Sequence, residues 1–326
     1  LGGVMILKEI INILEKKYPN YLAEEWDNVG LLIGDEKKDI QKIQISLDIT
    51  ENVVENAIKN NVDLIISHHP FIFSGIKQIN TNTILGDKII KLIKNDIAVY
   101  SMHTNLDAAK YGLNDFICKK LGVEKSKIVS ENIVNLYKIK FEYNEKILKK
   151  LEKYNFYNQK NNVQIIEIFD TIENINKVIS LLNSVGITYE LLKLENKLKL
   201  NTGLGRIYNL KEEVKLLDYI EVIKEKLNIN NVRLVYNENK LIKKVAIVNG
   251  SGMSFLKKVK KEKVDLFITG DIKYHEALDC YEEGFSIVDI GHYESEHFFN
   301  ELILEDLKET KLDIIVFNDK KIFNYL

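Results

Sequence analysis

Seven short apolar-rich runs, at 43–47, 62–66, 97–100, 245–248, 265–268, 285–288 and 313–316, limit what this chain can fold into. Each is four or five residues long, and most are separated by amphipathic stretches of 10 to 20 residues. Runs that short read as strands, and nearly continuous apolar character means that both faces are covered. Connections of that length carry helices, so the chain reads as α/β, with buried, largely parallel sheet beneath crossover helices. Ile6, Leu7, Ile10, Ile11, Ile13 and Leu14 follow the 3.6-residue period of a first helix, and Pro19 lies just past it. At roughly 150 residues per domain, 326 residues make about two domains.

Charge and composition remove several classes of function. Lys+Arg is 46 against Asp+Glu 48, a net charge of −2, and Arg206 and Arg233 are the only arginines. A dedicated nucleic-acid binder needs a basic face and an arginine set, so the balance argues against such a partner. No apolar run approaches the length of a membrane span. Two cysteines, Cys118 and Cys280, make no disulfide framework, which places the chain in a reducing cytoplasm. Leu1-Gly2-Gly3-Val4 ahead of Met5 reads as a cloning remnant outside the fold.

An internal repeat is visible. Ser46-Leu47-Asp48-Ile49-Thr50, a helical stretch and Asp63-Leu64-Ile65-Ile66-Ser67-His68-His69 make one copy. Ile247-Val248-Asn249-Gly250-Ser251-Gly252, a helical stretch and Asp265-Leu266-Phe267-Ile268-Thr269-Gly270-Asp271 make the other. Each is followed by a further strand that ends at a histidine, His103 or His292. Two similar α/β lobes, 5–133 and 201–326, are therefore expected. Between them, 134–200 lacks His, Cys and Pro and reads strand, helix, strand, helix, strand, with strands at 136–141, 163–169 and 187–192 and helices at 147–154 and 172–182. That β-α-β-α-β pattern suggests an inserted ferredoxin-like module.

All six histidines avoid the insertion. In open parallel sheets ligands bind at the carboxyl ends of the strands, and that is where these histidines fall. His68 and His69 leave one strand, with Pro70 biasing the exit towards extended backbone. Adjacent strand residues face opposite ways, so the pair either serves two neighbouring ions or caps a loop. Asp107, four residues after His103, supplies a carboxylate that ligates a metal or caps a helix. His292 and Glu296 are i and i+4, on one face if the chain is helical there. Three imidazoles and two carboxylates suit Zn, Fe, Mn or Co better than Ca or Mg. Five ligands exceed what one open catalytic ion needs and fit two ions bridged by Glu296. Asn249-Gly250-Ser251-Gly252, between strand and helix, is a candidate anion cradle. Lys273 and His275 follow another strand end and are substrate-facing candidates.

These motifs, Asp63 to Pro70, His103 to Asp107, Thr269 to His275 and Gly291 to Glu296, resemble those of the GTP cyclohydrolase I type 2 homologues, the NIF-three-like proteins. Glu25-Trp26-Asp27-Asn28-Val29-Gly30-Leu31 looks like that family's N-terminal signature, and Gly203-Leu204-Gly205-Arg206-Ile207 like its re-entry to the core. The resemblance runs from Met5 through the whole chain. It implies two similar lobes, a toroidal homohexamer, and two divalent metal ions per chain held by His68, His69, Asp107, His292 and Glu296. It also implies that 134–200 is a shortened form of an inserted PII-like domain, and it makes His103, with Lys273 and His275, a substrate-facing candidate. The activity implied is hydrolytic, with metal-activated water attacking GTP or a related nucleotide, Glu296 holding the nucleophile and His275 donating a proton. The alternative is a non-catalytic metal-binding regulatory or scaffold hexamer.

Overall fold

The computed structural model describes residues 3–152, 154, 156, 158–161, 164–317 and 321–323. Leu1, Gly2 and Val163, named above, lie outside the described residues. The chain divides into two compact units, Leu1–Ser130 with Thr202–Leu326, and Glu131–Asn201.

The first unit opens with β1 (Met5–Ile6) and α1 (Leu7–Lys17), whose buried stripe is Leu7, Ile10, Ile11 and Leu14. Ahead of them the Gly3 N–H donates to Lys311 O, so the opening residues are not all outside the fold. Next come β2 (Gly30–Ile33) and β3 (Asp39–Ile40), the latter antiparallel to β1. Then β4 (Lys42–Ser46), α2 (Glu51–Lys59), β5 (Leu64–Ser67), α3 (Ile84–Lys94) and β6 (Ala98–Ser101) alternate as the apolar runs require.

β4, β5 and β6 are parallel neighbours, and every residue of β5 and β6 is buried. Ile65 and Val99 pack under Val53, Val54 and Ala57 of α2 and Ile89 and Leu92 of α3. Both helices start at threonine caps, Thr50 accepting from Val53 N–H and Thr83 from Gly86 N–H. Two short helices follow β6, α4 (Thr104–Ala108) and α5 (Leu113–Lys120).

β7 (Lys127–Glu142) leads into the second unit, followed by α6 (Glu145–Leu151), β8 (Asn158–Asn161), β9 (Ile165–Asp170), α7 (Ile172–Ser184) and β10 (Tyr189–Lys215). The strand order there is β10-β7-β9-β8, with β9 antiparallel to both its neighbours. Its core is Ile139, Ile166, Ile168, Ile175, Val178 and Leu182, all fully buried. The unit therefore has one more strand than the expected β-α-β-α-β. The extra strand is Asn158-Gln159-Lys160-Asn161, an edge strand with no apolar residue to announce it.

From Thr202 onward β10 belongs to the first unit, followed by α8 (Leu216–Leu227), β11 (Arg233–Val235), β12 (Leu241–Ile247), α9 (Leu256–Lys261), β13 (Leu266–Thr269), α10 (Tyr274–Glu282) and β14 (Ser286–Asp289). β12, β13 and β14 are parallel, and β10 and β11 flank them antiparallel. α11 (His292–Glu296) and α12 (Phe299–Leu307) come next. The last strand, β15 (Asp313–Val316), runs parallel to β4 and completes the first sheet, in order β15-β4-β5-β6-β2. The span 201–326 thus gives its final strand to the other lobe's sheet. Cys118 and Cys280 are buried, free and helical.

The duplication extends to individual hydrogen bonds. Asp63 Oδ2 accepts from the N–H groups of Gln41 and Lys42, and Asp265 Oδ2 accepts from those of Lys243 and Lys244. Each carboxylate ties the start of one strand to the next. Removing it takes the acceptor from two backbone donors at the same place in each lobe, all half-covered except the exposed Gln41 N–H. Asp63→Ala and Asp265→Ala are expected to lower stability by about 1–3 kcal/mol each, by similar amounts, in urea denaturation. A large effect from only one of them would contradict the equivalence.

Candidate metal centre

The centre is built at the carboxyl ends of the two parallel sheets of the first unit. β5 ends at Ser67, and His68 and His69 both donate their backbone N–H to Leu47 O, which fixes the turn out of the strand. β6 ends at Ser101, and α4 begins one turn later with Asp107 on it. In the other lobe β14 ends at Asp289, and α11 carries His292 and Glu296 at i and i+4.

Among the described residues, ligand atoms within 4.8 Å of one another form three groups: His68, Asp107 and Glu296; His69, His292 and Glu296; and His68, His69 and His103. Two of the groups share Glu296, and one histidine of the adjacent pair falls in each. Glu296 Oε2 lies 2.9 Å from both His69 Nε2 and His292 Nε2, and those nitrogens are 3.3 Å apart. His68 Nε2 stands 3.7 Å from Glu296 Oε1 and 3.8 Å from Asp107 Oδ1.

The donor set fits a divalent cation. His68 is fully buried, and its Nε2 has no hydrogen-bond partner among the described residues. A buried nitrogen left so is costly unless something else binds it. Its distances to the two carboxylates are too long for hydrogen bonds but near the ~3.4 Å that separates two ligands of a tetrahedral ion with ~2.1 Å bonds.

Each histidine is oriented through its other nitrogen. Nδ1 of His68 meets Met102 O at 2.8 Å, Nδ1 of His69 meets Asp48 at 2.7 Å, and Nδ1 of His292 meets Asp271 at 2.6 Å. Nδ1 of His103 meets the buried carboxylate of Asp27 at 3.0 Å. Such partners fix ring tautomer and direction and leave Nε2 for the ligand. Asp27 is also bonded to Thr104 N–H and Oγ1. Burial opposes its charge, but these donors hold its carboxyl down at about 2.

Asn249 joins the two carboxylates, its Nδ2 donating to Asp107 Oδ1 at 2.8 Å and Glu296 Oε1 at 3.3 Å. The Asn249–Gly252 loop is therefore no anion cradle. Asn249 N–H goes to Asn114, Gly250 N–H to Ser295 Oγ and Gly252 N–H to Thr269 Oγ1, so these donors are committed. Gly250, at φ +60°, is required there, because a Cβ would lie 2.3 Å from Glu296 Oε1.

Lys273 and His275 are not brought to the cluster. Both are exposed at the start of α10, and the His275 ring lies against Tyr274. Sequence reading gives Asp27, Asp48 and Asp271 no role at the centre, and it gives Asn249 a different one, in an anion cradle. The available signal was position, since Asp48 and Asp271 each sit two residues past a strand end. A cavity of about 470 Å³ opens on the His69–His292 side, lined among others by Asp48, Asp271, Arg233, Tyr293 and Lys321.

The family model described as Duf34/NIF3 (NGG1p interacting factor 3) matches residues 5–321. The chain belongs to the Duf34/NIF3 family. It is 35% identical over 320 residues to the GTP cyclohydrolase 1 type 2 homolog of Clostridium perfringens, covering 97% of this chain and 98% of that one. Against the Bacillus subtilis protein of the same name it is 30% identical over 356 residues, covering 96% and 93%. Among solved structures it is similar to a Staphylococcus aureus protein at 30% identity and TM-score 0.78, with 99% of each chain covered. A Bacillus cereus protein related to NIF3 matches at 29% identity and TM-score 0.75, covering 98% of this chain and 99% of that one.

In this Duf34/NIF3 chain the protonation of the centre is set by burial and by neighbours. Burial works against charge on His69, yet Asp48 and Glu296 outweigh it and lift the imidazole from 6.5 to about 10. For His292 burial again opposes, and Glu296 and Asp271 carry it to about 9. Burial and the Glu296 charge push Asp107 up against the pull of His68. Burial alone would raise Glu296, but His68, His292 and His69 hold it well below the usual carboxylate range.

Stripped of metal, the protein therefore keeps protons on the inward nitrogens of His69 and His292 near neutral pH. Because both histidines are raised, their contribution to stability is complete below about pH 6.5 and is lost as pH rises through about 9 and about 10. The Tm of metal-stripped protein is expected to fall between pH 7 and pH 10, and Asp48→Asn to shrink that fall. An equal fall in the variant would show that His69 does not carry it.

Proposed function

We propose that the chain holds two divalent metal ions and is a metal-dependent hydrolase acting on a nucleotide or a related small molecule. His68, Asp107 and Glu296 would hold one ion and His69, His292 and Glu296 the other. The observation that carries this is the pair of donor groups sharing one buried carboxylate, with His68 Nε2 aimed in and unpartnered. Mixed imidazole and carboxylate donors favour Zn, Fe, Mn or Co. Bound ions of this kind draw the pKa of a water from 15.7 towards about 7 and neutralise charge that develops on the substrate.

The chain's own residues supply the rest. Glu296, kept ionised by three imidazoles, fixes a negative charge at the middle of the centre. Asn249 ties Glu296 to Asp107 by donating to both. His103, its ring set by Asp27, borders His68 and His69 and is the group placed to hold a proton on a substrate. His275, expected as a proton donor, has no such position. The relatives named GTP cyclohydrolase 1 type 2 homolog make GTP the first substrate to test. We further propose a toroidal homohexamer in the cytoplasm, and a ferredoxin-like identity for the β-α-β-β-α-β unit.

Elemental analysis after mild metal loading is expected to give about two ions per chain, falling sharply in Glu296→Ala. Asn249→Ala is expected to weaken metal affinity about 10–100-fold. Loading near neutral pH should release protons, because ligating imidazoles must be neutral. GTP turnover that disappears in Asp107→Ala would support the hydrolase. Only traces of metal in the wild-type protein would overturn the reading, and metal without turnover on any nucleotide would leave a scaffold.

A further inference from the structure

Trp26 is the chain's single tryptophan, and it is 57% exposed. Phe73, 52% exposed, lies beside it with ring centroids 5.9 Å apart at 48°. The indole meets the His103 ring edge-on at 6.0 Å, and His103 stands 5.2 Å from His68 and 5.6 Å from His69. An exposed aromatic pair thus begins one imidazole away from the candidate centre.

The loops that carry the pair are laced together before any ligand arrives. Asp27, next to Trp26, is bonded to His103 and Thr104, and Glu24 N–H donates to Thr104 Oγ1. Asn28 Nδ2 donates to Ile72 O, next to Phe73. Trp26 is flanked by Glu24, Glu25, Asp27 and Asn28, and Phe73 is followed by Ser74 and Gly75. Phe71 and Ile72 before it are buried or half-buried, so the exposed feature carried by these two loops is a pair of rings, the size of one flat ligand ring rather than of a protein interface. Leaving two large aromatics in water forgoes the gain of burying them, and stacking a planar group recovers it.

We propose that Trp26 and Phe73 form a ring-stacking subsite, on which a planar heteroaromatic part of the substrate lies with His103 between it and the metal ligands. The proposal rests on the reading of the centre as acting on a small molecule, and it assigns the recognition of that molecule's ring. Aromatic faces accept any base, so the two rings select for flatness, and discrimination among bases comes from elsewhere.

The single tryptophan makes the test direct. GTP, guanosine and inorganic triphosphate are titrated into metal-loaded full-length protein while Trp26 emission is followed, with excitation beyond the purine band. Saturable quenching by GTP and guanosine, but not by triphosphate, is expected. Phe73→Ala should weaken it about tenfold with the metal content unchanged. Equilibrium dialysis of labelled GTP should show a similar loss in Trp26→Ala. Equal quenching by triphosphate, or no effect of Phe73→Ala, would overturn the subsite. A change of assembly size in either variant would overturn it too, making the pair a contact between copies. A chain that takes up no metal yet is quenched by guanosine would sink the hydrolase reading and leave the subsite standing.

Discussion

The carboxylate of Glu296 is withdrawn almost entirely from water, and a charge in that position persists only where cations or strong donors surround it. Its partners His68 and His69 come from the other lobe, more than two hundred residues earlier in the chain. The two lobes are thereby fastened through a polar centre as well as through shared strands. The strand exits, the short helices α4 and α11 and the Asn249 loop are all arranged around that one side chain. Close approach by Gly250 is a consequence of the same crowding.

Around it lies a ring of groups that orient the ligand candidates. His69, His292 and His103 are aimed by a separate aspartate each, and His68 by a backbone carbonyl, so no imidazole relies on a metal for its direction. Such a centre is pre-organised: the ordering cost is met when the chain folds, and ion binding needs little rearrangement. The cost is local repulsion and desolvation, visible in the opposite directions in which Asp107 and Glu296 are shifted.

How far the sequence speaks depends on whether a residue's role is local. The strands of both parallel sheet cores were readable because burial on both faces leaves an uninterrupted apolar run, as in Leu64-Ile65-Ile66. β8, with four polar residues, and the short flanking strands β2 and β11 were not, because an edge strand is defined by its neighbour and not by its own composition. At the site, His68, His69, Asp107, His292 and Glu296 stand out as chemistry-bearing types at strand exits and on one helix face. Asp48, Asp271, Asp27 and Asn249 do not, since each matters only through a partner 21 to 142 residues away. Lys273 and His275 share the strand-exit signature but sit on an outward helix start.

Synthesis on the ribosome meets one of these features with special force. β4 begins at Lys42, yet the strand that covers its free edge, β15, begins only at Asp313. Until then the nascent first sheet presents an unpaired row of backbone donors and acceptors beside an apolar face, the usual template for wrong pairing with another chain. The first sheet is therefore closed only after every strand of the second sheet has been made. A chain that stops short of residue 313 would contain every histidine of the centre and still lack the strand that closes the sheet beneath it.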